Sequence, residues 1–142
     1  MPIKKVEDLI KRYKTNCPFK IAEYLGIQIV FENLGKTLGY YNKNFRIKSI
    51  HINENAGDRQ KYFICSHELG HAVCHPDANT PFLKRNTLFS TDKIEVEANL
   101  FAVRLLFAPE YINQSISLKE AIEEYGVPEK FINKYLDKNF LS

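Results

Sequence analysis

The stretch "CSHELGHAVCH", residues 65–75, places three of the chain's four histidines within nine residues. Residues four apart on an α-helix lie on the same face, with Cβ atoms about 5–6 Å apart. His67 and His71 can therefore bind one metal ion. Glu68 lies about 100° round the helix from His67, so it flanks the metal-binding face. This HExxH spacing combines two metal ligands with a general base and predicts a helix that carries a metal site.

The same pattern can also arise in an amphipathic core helix whose histidines are incidental. The chain has four His and twelve Glu, and HExxH would occur by chance in roughly 1 % of shuffled versions. Gly70 argues against the incidental alternative. Glycine costs about 1 kcal/mol inside a helix, so its presence indicates that another segment packs closely at this point.

A catalytic zinc ion needs a third protein ligand and an open coordination position. The following segment, "KIEVEANLFAVRLLF" from residue 93, reads as a helix and offers Glu95 and Glu97. Glu95 could instead complete a capping box with Asp92, and Glu97 could be a solvated surface charge. Glu95 lies three residues before Ala98, on the apolar face, whereas Glu97 is about 100° away from Ala98. We therefore prefer Glu95 as the third ligand.

His75 is a weaker candidate ligand. It lies about 12 Å along the helix axis from His67, and a histidine in the last turn more often caps the final carbonyl groups.

The cysteines are odd in number and none has a partner at metal-ligand spacing, which favours free thiols in a reducing compartment. They are Cys17, Cys65 and Cys74.

The rest of the chain predicts an α+β fold in a single domain, residues 1–142, with an antiparallel or mixed sheet of about three strands. Asp58 and Asp92 are expected to cap the two site helices. In the first half, the expected elements are a helix over 6–13, a helix from Pro18 to Gly26, a strand over 27–32 and a hairpin turn at 42–44. A helix over about 59–75, a loop over 76–91 and a helix from 93 that ends before Pro109 are expected next. The chain then predicts a helix after a Ser117–Glu120 capping box and a last helix from Pro128.

Composition limits the classes of function. The net charge of +3 is too small to indicate a nucleic-acid-binding surface. No apolar run of about 18 residues and no N-terminal signal segment are present, so we expect a soluble cytoplasmic protein that contacts no membrane. Ten Phe and eight Tyr supply ample core material. Zinc is therefore expected to serve chemistry more than folding.

Two segments together resemble the ImmA/IrrE family of metallopeptidases, small gluzincins common in prophages and other mobile elements. They are the HELGH helix with a later histidine, His67–His75, and a helix of the form E-x-E-A-N-x-F-A-x-x-L-L-x-x-P, Glu95–Pro109. The upstream "IAEYLGI" and "IHIN" also look like the family's lead-in. The family usually has Met before the proline, where this chain has Ala108.

The resemblance implies a small gluzincin-like domain with zinc bound by His67, His71 and Glu95, and with Glu68 as the catalytic residue. It also implies a cytoplasmic protein substrate, a helix-turn-helix repressor that is cut or antagonised. A zinc-dependent endopeptidase is the leading hypothesis, and an extended substrate could pair with a sheet edge near residues 50–53. The main alternative is a non-proteolytic anti-repressor that sequesters its partner and retains the zinc site.

A third hypothesis, DNA binding, rests on "IAEYLGI", which is similar to the first helix and turn of a helix-turn-helix. The strand predicted over 27–32 occupies the place of the recognition helix. This conflict argues against the hypothesis, and we expect no direct contact with nucleic acid.

Overall fold

Four helices and three strands form the part of the chain that the computed structural model describes, residues 1–78, 80, 82–84, 90–109 and 111. This architecture confirms the predicted α+β class. The two helices predicted after Ser117 and Pro128 lie outside the described residues. The elements are α1 Pro2–Tyr13, α2 Pro18–Tyr24, β1 Gln28–Glu32, β2 Gly39–Asn44, β3 Ile47–Asn53, α3 Asp58–Cys74 and α4 Lys93–Leu106.

The sheet is mixed, with strand order β1–β3–β2. β1 pairs with β3 in parallel, and β2 pairs with β3 in antiparallel orientation. β3 is thus the central strand, and its Ile50 and Ile52 are fully buried. The expectation of a free edge at residues 50–53 was wrong, because the strand with the most buried side chains is paired on both sides. β2 is an outer strand, and its Gly39 forms an isolated antiparallel bridge with Leu83.

The hairpin turn lies at Phe45 and Arg46, not at residues 42–44, because Asn44 still pairs with Ile47. The register follows from burial more than from turn composition, since it sets buried Tyr41 opposite buried Ile50. A two-residue hairpin turn needs positive φ. Phe45 supplies it with φ 59° and is 91 % exposed.

A group of polar side chains lies on the face of the sheet opposite Ile50 and Ile52, and we call it the sheet cluster. His51 Nδ1 lies 2.8 Å from Glu32 Oε1, and His51 Nε2 lies 3.1 Å from Ser49 Oγ. The Tyr40 ring stacks on the His51 ring at 4.3 Å. The Tyr40 hydroxyl donates to Glu32 Oε1 at 3.3 Å. Each of these groups therefore has a partner within the cluster.

Helix α3 crosses the centre of the fold, and every residue from 63 to 72 is buried. A Cβ added to Gly39 of β2 would lie 2.6 Å from Ile64 Cγ2, so the sheet packs directly on this helix. On the α4 side, a Cβ on Gly70 would lie 3.1 Å from Phe101 Cβ and 3.2 Å from Ala98 Cα. The predicted close packing at Gly70 is thus the contact between α3 and α4.

The ends of α3 and α4 differ in detail from the sequence prediction. Helix α3 begins at Asp58 with Gly57 as N-cap, and Asp92 is the N-cap of α4. Neither helix has a side-chain cap hydrogen bond, so the capping box of Asp92 with Glu95 does not form. The cysteines are free thiols. No helix within the described ranges combines the length and the hydropathy that crossing a bilayer requires.

Candidate metal centre

Helices α3 and α4 bring His67, His71 and Glu95 together, and we call these three side chains the helix cluster. One potential ligand atom from each lies within 4.8 Å of the others. His71 Nε2 is 2.8 Å from Glu95 Oε1, and His67 Nε2 is 3.4 Å from Glu95 Oε2. All three side chains are buried. The histidines come from successive turns of α3, and the carboxylate comes from the first turn of α4.

The orientation of His67 is set by Asn99, one turn after Glu95 on α4. His67 Nδ1 lies 2.8 Å from Asn99 Oδ1, and a carbonyl oxygen only accepts a hydrogen bond. Nδ1 therefore carries the proton, and Nε2 keeps a lone pair. That Nε2 is buried and makes no hydrogen bond among the described residues. Sequence reasoning did not single out Asn99, although its spacing of four from Glu95 places it on the same helical face.

Glu95 is held as a carboxylate. Burial alone would raise its pKa, but the adjacent imidazoles of His67 and His71 outweigh burial and lower the pKa to about 2. An anionic oxygen ligand between two imidazole nitrogens is a donor set that suits a divalent cation. The structure thus places Glu95 beside His67 and His71, whereas Glu97 contacts His75.

Glu68 is fully buried next to this cluster, and neither of its oxygens has a hydrogen-bond partner in the described part of the chain. Burial raises the pKa of Glu68 to about 8; the His71 charge opposes the increase and the Glu95 charge adds to it. A buried polar group without a partner costs about 1–3 kcal/mol, and more if it is charged. Water, an ion or a substrate can satisfy buried oxygens of this kind.

The donors present fit a metal ion. Four tetrahedral ligands at 2.0–2.1 Å from zinc would be separated from one another by about 3.3 Å. The separation of His67 Nε2 from Glu95 Oε2 is close to this value, and that of His71 Nε2 from Glu95 Oε1 is shorter, at 2.8 Å. The unpartnered Nε2 of His67 is the atom that an ion would use.

His75 and Glu97, the other two candidate metal ligands, contact each other. His75 Nε2 lies 3.1 Å from Glu97 Oε1, so Glu97 is not a solvated charge without a partner. The side chain of His75 points towards His71, with the two Nδ1 atoms 3.1 Å apart. Only the backbone N–H of His75 bonds the end of α3, to His71 O at 2.7 Å.

Comparison with known proteins gives the family. Residues 22–137 match the sequence model described as the IrrE N-terminal-like domain, peptidase M78. The chain belongs to this family. It is 47 % identical over 128 residues to "Uncharacterized immunity region protein 2" of Bacillus phage phi105, covering 87 % of this chain and 81 % of the relative. It is 32 % identical over 138 residues to "Metallopeptidase ImmA" of Bacillus subtilis (strain 168), covering 92 % of this chain and 80 % of the relative.

Membership of the IrrE N-terminal-like family supports a metallopeptidase role, and so does the likeness to a protein named as a metallopeptidase. The buried group of two histidines and one glutamate suits a metal ion. The resemblance inferred from the HELGH and E-x-E-A-N helices is confirmed by the match to the family.

Proposed function

We propose that this protein is a zinc-dependent endopeptidase whose metal ion is bound by His67, His71 and Glu95, with Glu68 as the general base. The observation that carries the proposal is the convergence of these three donors within 4.8 Å beside a buried carboxylate that has no hydrogen-bond partner among the described residues. An amphipathic core helix with incidental histidines accounts for neither feature.

The ion, when bound, would polarise the scissile carbonyl and lower the pKa of a water molecule. Glu68 would accept a proton from the attacking water and deliver it to the leaving amine. A general base works best when its pKa lies near the working pH. Burial raises the pKa of Glu68 towards that range, and a nearby cation acts against burial and keeps the carboxylate ionised.

Substrate binding is proposed at β2, the outer strand that lies against α3. Gly39 approaches Ile64, which lies one helical turn before Glu68. The outer edge of β2 accepts main-chain hydrogen bonds, because Leu83 N donates to Gly39 O at 2.8 Å. The next outward-facing carbonyl, that of Tyr41, accepts from Thr80 Oγ1 at 3.3 Å, so an extended peptide would pair with the edge beyond this contact. β2 thus replaces residues 50–53 as the candidate edge.

The proposed substrate is a cytoplasmic helix-turn-helix repressor. The support comes from the relatives' names, since one is an immunity region protein of a phage and the other is named ImmA. The alternative, a protein that sequesters the repressor without cutting it, differs in what it requires of Glu68. Sequestration needs the folded surface, whereas hydrolysis needs the carboxylate.

The test expresses the parent and Glu68→Gln beside a helix-turn-helix repressor, which is sought first among the genes that neighbour this one. Glutamine is nearly isosteric but cannot take a proton, so cleavage should fall by at least about 10²–10⁴-fold. Zinc content and repressor binding should stay near the parent's. Glu32→Gln is the matched control, because Glu32 also contacts a histidine but lies in the sheet cluster.

The readouts are the full-length repressor band and the activity of its promoter. Loss of the band with the parent and Glu32→Gln, and its persistence with Glu68→Gln, supports proteolysis. Derepression by all three forms with the repressor uncut would reject the peptidase hypothesis and leave sequestration.

A further inference from the structure

A third histidine and a second glutamate lie directly behind the helix cluster. His75 Nε2 is 3.1 Å from Glu97 Oε1, and the two side chains are 10 % and 29 % exposed. His75 Nδ1 is 3.1 Å from Nδ1 of His71. The imidazole of His75 therefore bridges Glu97 and His71, on the side of His71 that faces away from Glu95.

The donor and acceptor roles along this chain of contacts follow once an ion occupies Nε2 of His71. A neutral imidazole has one N–H, so an imidazole that binds an ion through Nε2 carries its proton on Nδ1. The Glu97 carboxylate can only accept, so Nε2 of His75 carries a proton, and Nδ1 of a neutral His75 accepts from Nδ1 of His71. The contacts thus suit the tautomer of His71 whose Nε2 binds an ion.

Helix α4 also provides a hydrogen-bond acceptor for Nδ1 of the other histidine, His67. Asn99 Oδ1 accepts from Nδ1 of His67 at 2.8 Å. Glu97 acts on His71 through His75. Helix α4 thus supplies the ligand Glu95 and also the groups that orient both histidine ligands, all within five residues.

We propose that His75 and Glu97 are positioning residues for the metal site, which orient His71 and hold it in its metal-binding tautomer. The inference rests on the proposed metal site. Partners of this kind, one shell out from the ligands, typically contribute about 10–100-fold in metal affinity. A purely structural role, a tie between the end of α3 and α4, would stabilise the fold without this effect on affinity.

The experiment measures the zinc dissociation constant of metal-free protein by competition with a chromophoric chelator. His75→Ala and Glu97→Ala should bind zinc about 10–100-fold more weakly than the parent. His75→Asn should recover most of the loss, because its carbonyl oxygen can occupy the position of Nδ1 and accept from His71. The thermal midpoint of each metal-free variant is recorded beside the affinity.

Asp77→Ala is the matched control. Asp77 lies two residues after His75 and forms an ion pair with Lys43 at 2.6 Å, with its side chain 79 % exposed. Its loss removes a neighbouring surface pair that does not contact His71, so zinc affinity should match the parent's. Glu97→Ala covers the case in which His75→Ala fails to fold, since Glu97 is partly exposed.

The outcomes separate this inference from the proposed function. If the parent and both alanine variants bind zinc equally while His71→Ala does not bind, the positioning role is wrong and the metal site stands. If the alanine variants lose thermal stability but keep zinc affinity, the pair is structural only. A parent that binds no zinc overturns both proposals. Weaker binding in both variants, recovered in His75→Asn, supports the inference.

Discussion

The helix cluster and the sheet cluster each join a histidine to a glutamate at the same distance. His71 Nε2 lies 2.8 Å from Glu95 Oε1, and His51 Nδ1 lies 2.8 Å from Glu32 Oε1. Their surroundings differ. The side chains of the first pair are 0 % and 5 % exposed, whereas those of the second are 16 % and 40 % exposed.

The two clusters also differ in how their polar atoms are satisfied. In the sheet cluster, the second nitrogen of His51 contacts Ser49 and the Glu32 carboxylate accepts from Tyr40. In the helix cluster, Nε2 of His67 and both oxygens of the adjoining Glu68 lack hydrogen bonds within the described residues. A contact between histidine and glutamate is therefore not by itself evidence of a metal site. Convergence of three donors beside unsatisfied buried atoms is the distinguishing feature.

The largest predicted difference between the clusters is in metal content. His71→Ala removes one of the three proposed ligands and should abolish most zinc binding. His51→Ala removes a histidine with a similar glutamate contact and should leave about one zinc per chain. Metal analysis of the purified variants gives the answer. Full zinc content in His71→Ala, or its loss in His51→Ala, would break the distinction drawn between the clusters.

Removing the metal should lower the unfolding temperature only in proteins whose helix cluster is intact. Free zinc at 1,000 times its dissociation constant stabilises a folded protein by about 4 kcal/mol. The parent and His51→Ala should therefore unfold at a lower temperature after chelation. Glu95→Ala should show almost no difference between chelated and zinc-supplemented samples. A zinc-dependent shift of the parent's size in Glu95→Ala would mean that the third ligand lies elsewhere.

The spacing of α3 and α4 should matter for the helix cluster more than for the sheet. In Gly70→Ala the gain in helix propensity, about 1 kcal/mol, opposes overpacking of about 1–3 kcal/mol. The contacts are at 3.1–3.2 Å to Phe101 Cβ and the Ala98 backbone, so the helices must separate. We expect a net loss of up to about 2 kcal/mol and weaker zinc binding, measured by denaturation and chelator competition.

Gly57→Ala is the control for an added methyl group, since a Cβ there meets nothing within 4 Å. It should keep the parent's zinc affinity. Equal affinity in Gly70→Ala would show that the cluster tolerates movement of α4.

The smallest expected effect is in the sheet cluster. Glu32→Gln removes the charge from a pair in which Glu32 is 40 % exposed. Exposed ion pairs contribute about 0–1 kcal/mol because solvent screens them. Unfolding free energy should fall by less than about 1 kcal/mol, with zinc affinity unchanged. A loss above 3 kcal/mol would mean that the sheet cluster is as sensitive as the buried one.

Helical periodicity predicted the part of the candidate site that depends on local geometry. The four-residue spacing of His67 and His71, and the phase of Glu95 relative to Ala98, follow from 3.6 residues per turn. The structure places these side chains together. The contact between His75 and Glu97 was not predicted, because it depends on how α3 and α4 cross, which spacing along one helix does not determine.

In the sheet, too, local sequence patterns predicted a single strand but not how distant segments pair. The strand over 27–32 was predicted from its β-branched residues and is observed as β1 over 28–32. The central position of β3 was missed, since strand order is set by pairing between distant segments. The hairpin turn was misplaced because "NKN" has turn-forming residues, while the register of Tyr41 and Ile50 places the turn at Phe45.

The most direct test of the account is anomalous diffraction from crystals of the purified protein, recorded at the zinc absorption edge. If the helix cluster binds zinc, one anomalous peak per chain is expected about 2.0–2.2 Å from Nε2 of His67, Nε2 of His71 and a carboxylate oxygen of Glu95. Glu68 should lie near the peak without bonding to it. A peak bonded to His51 and Glu32, or to Glu97 in place of Glu95, would contradict the account.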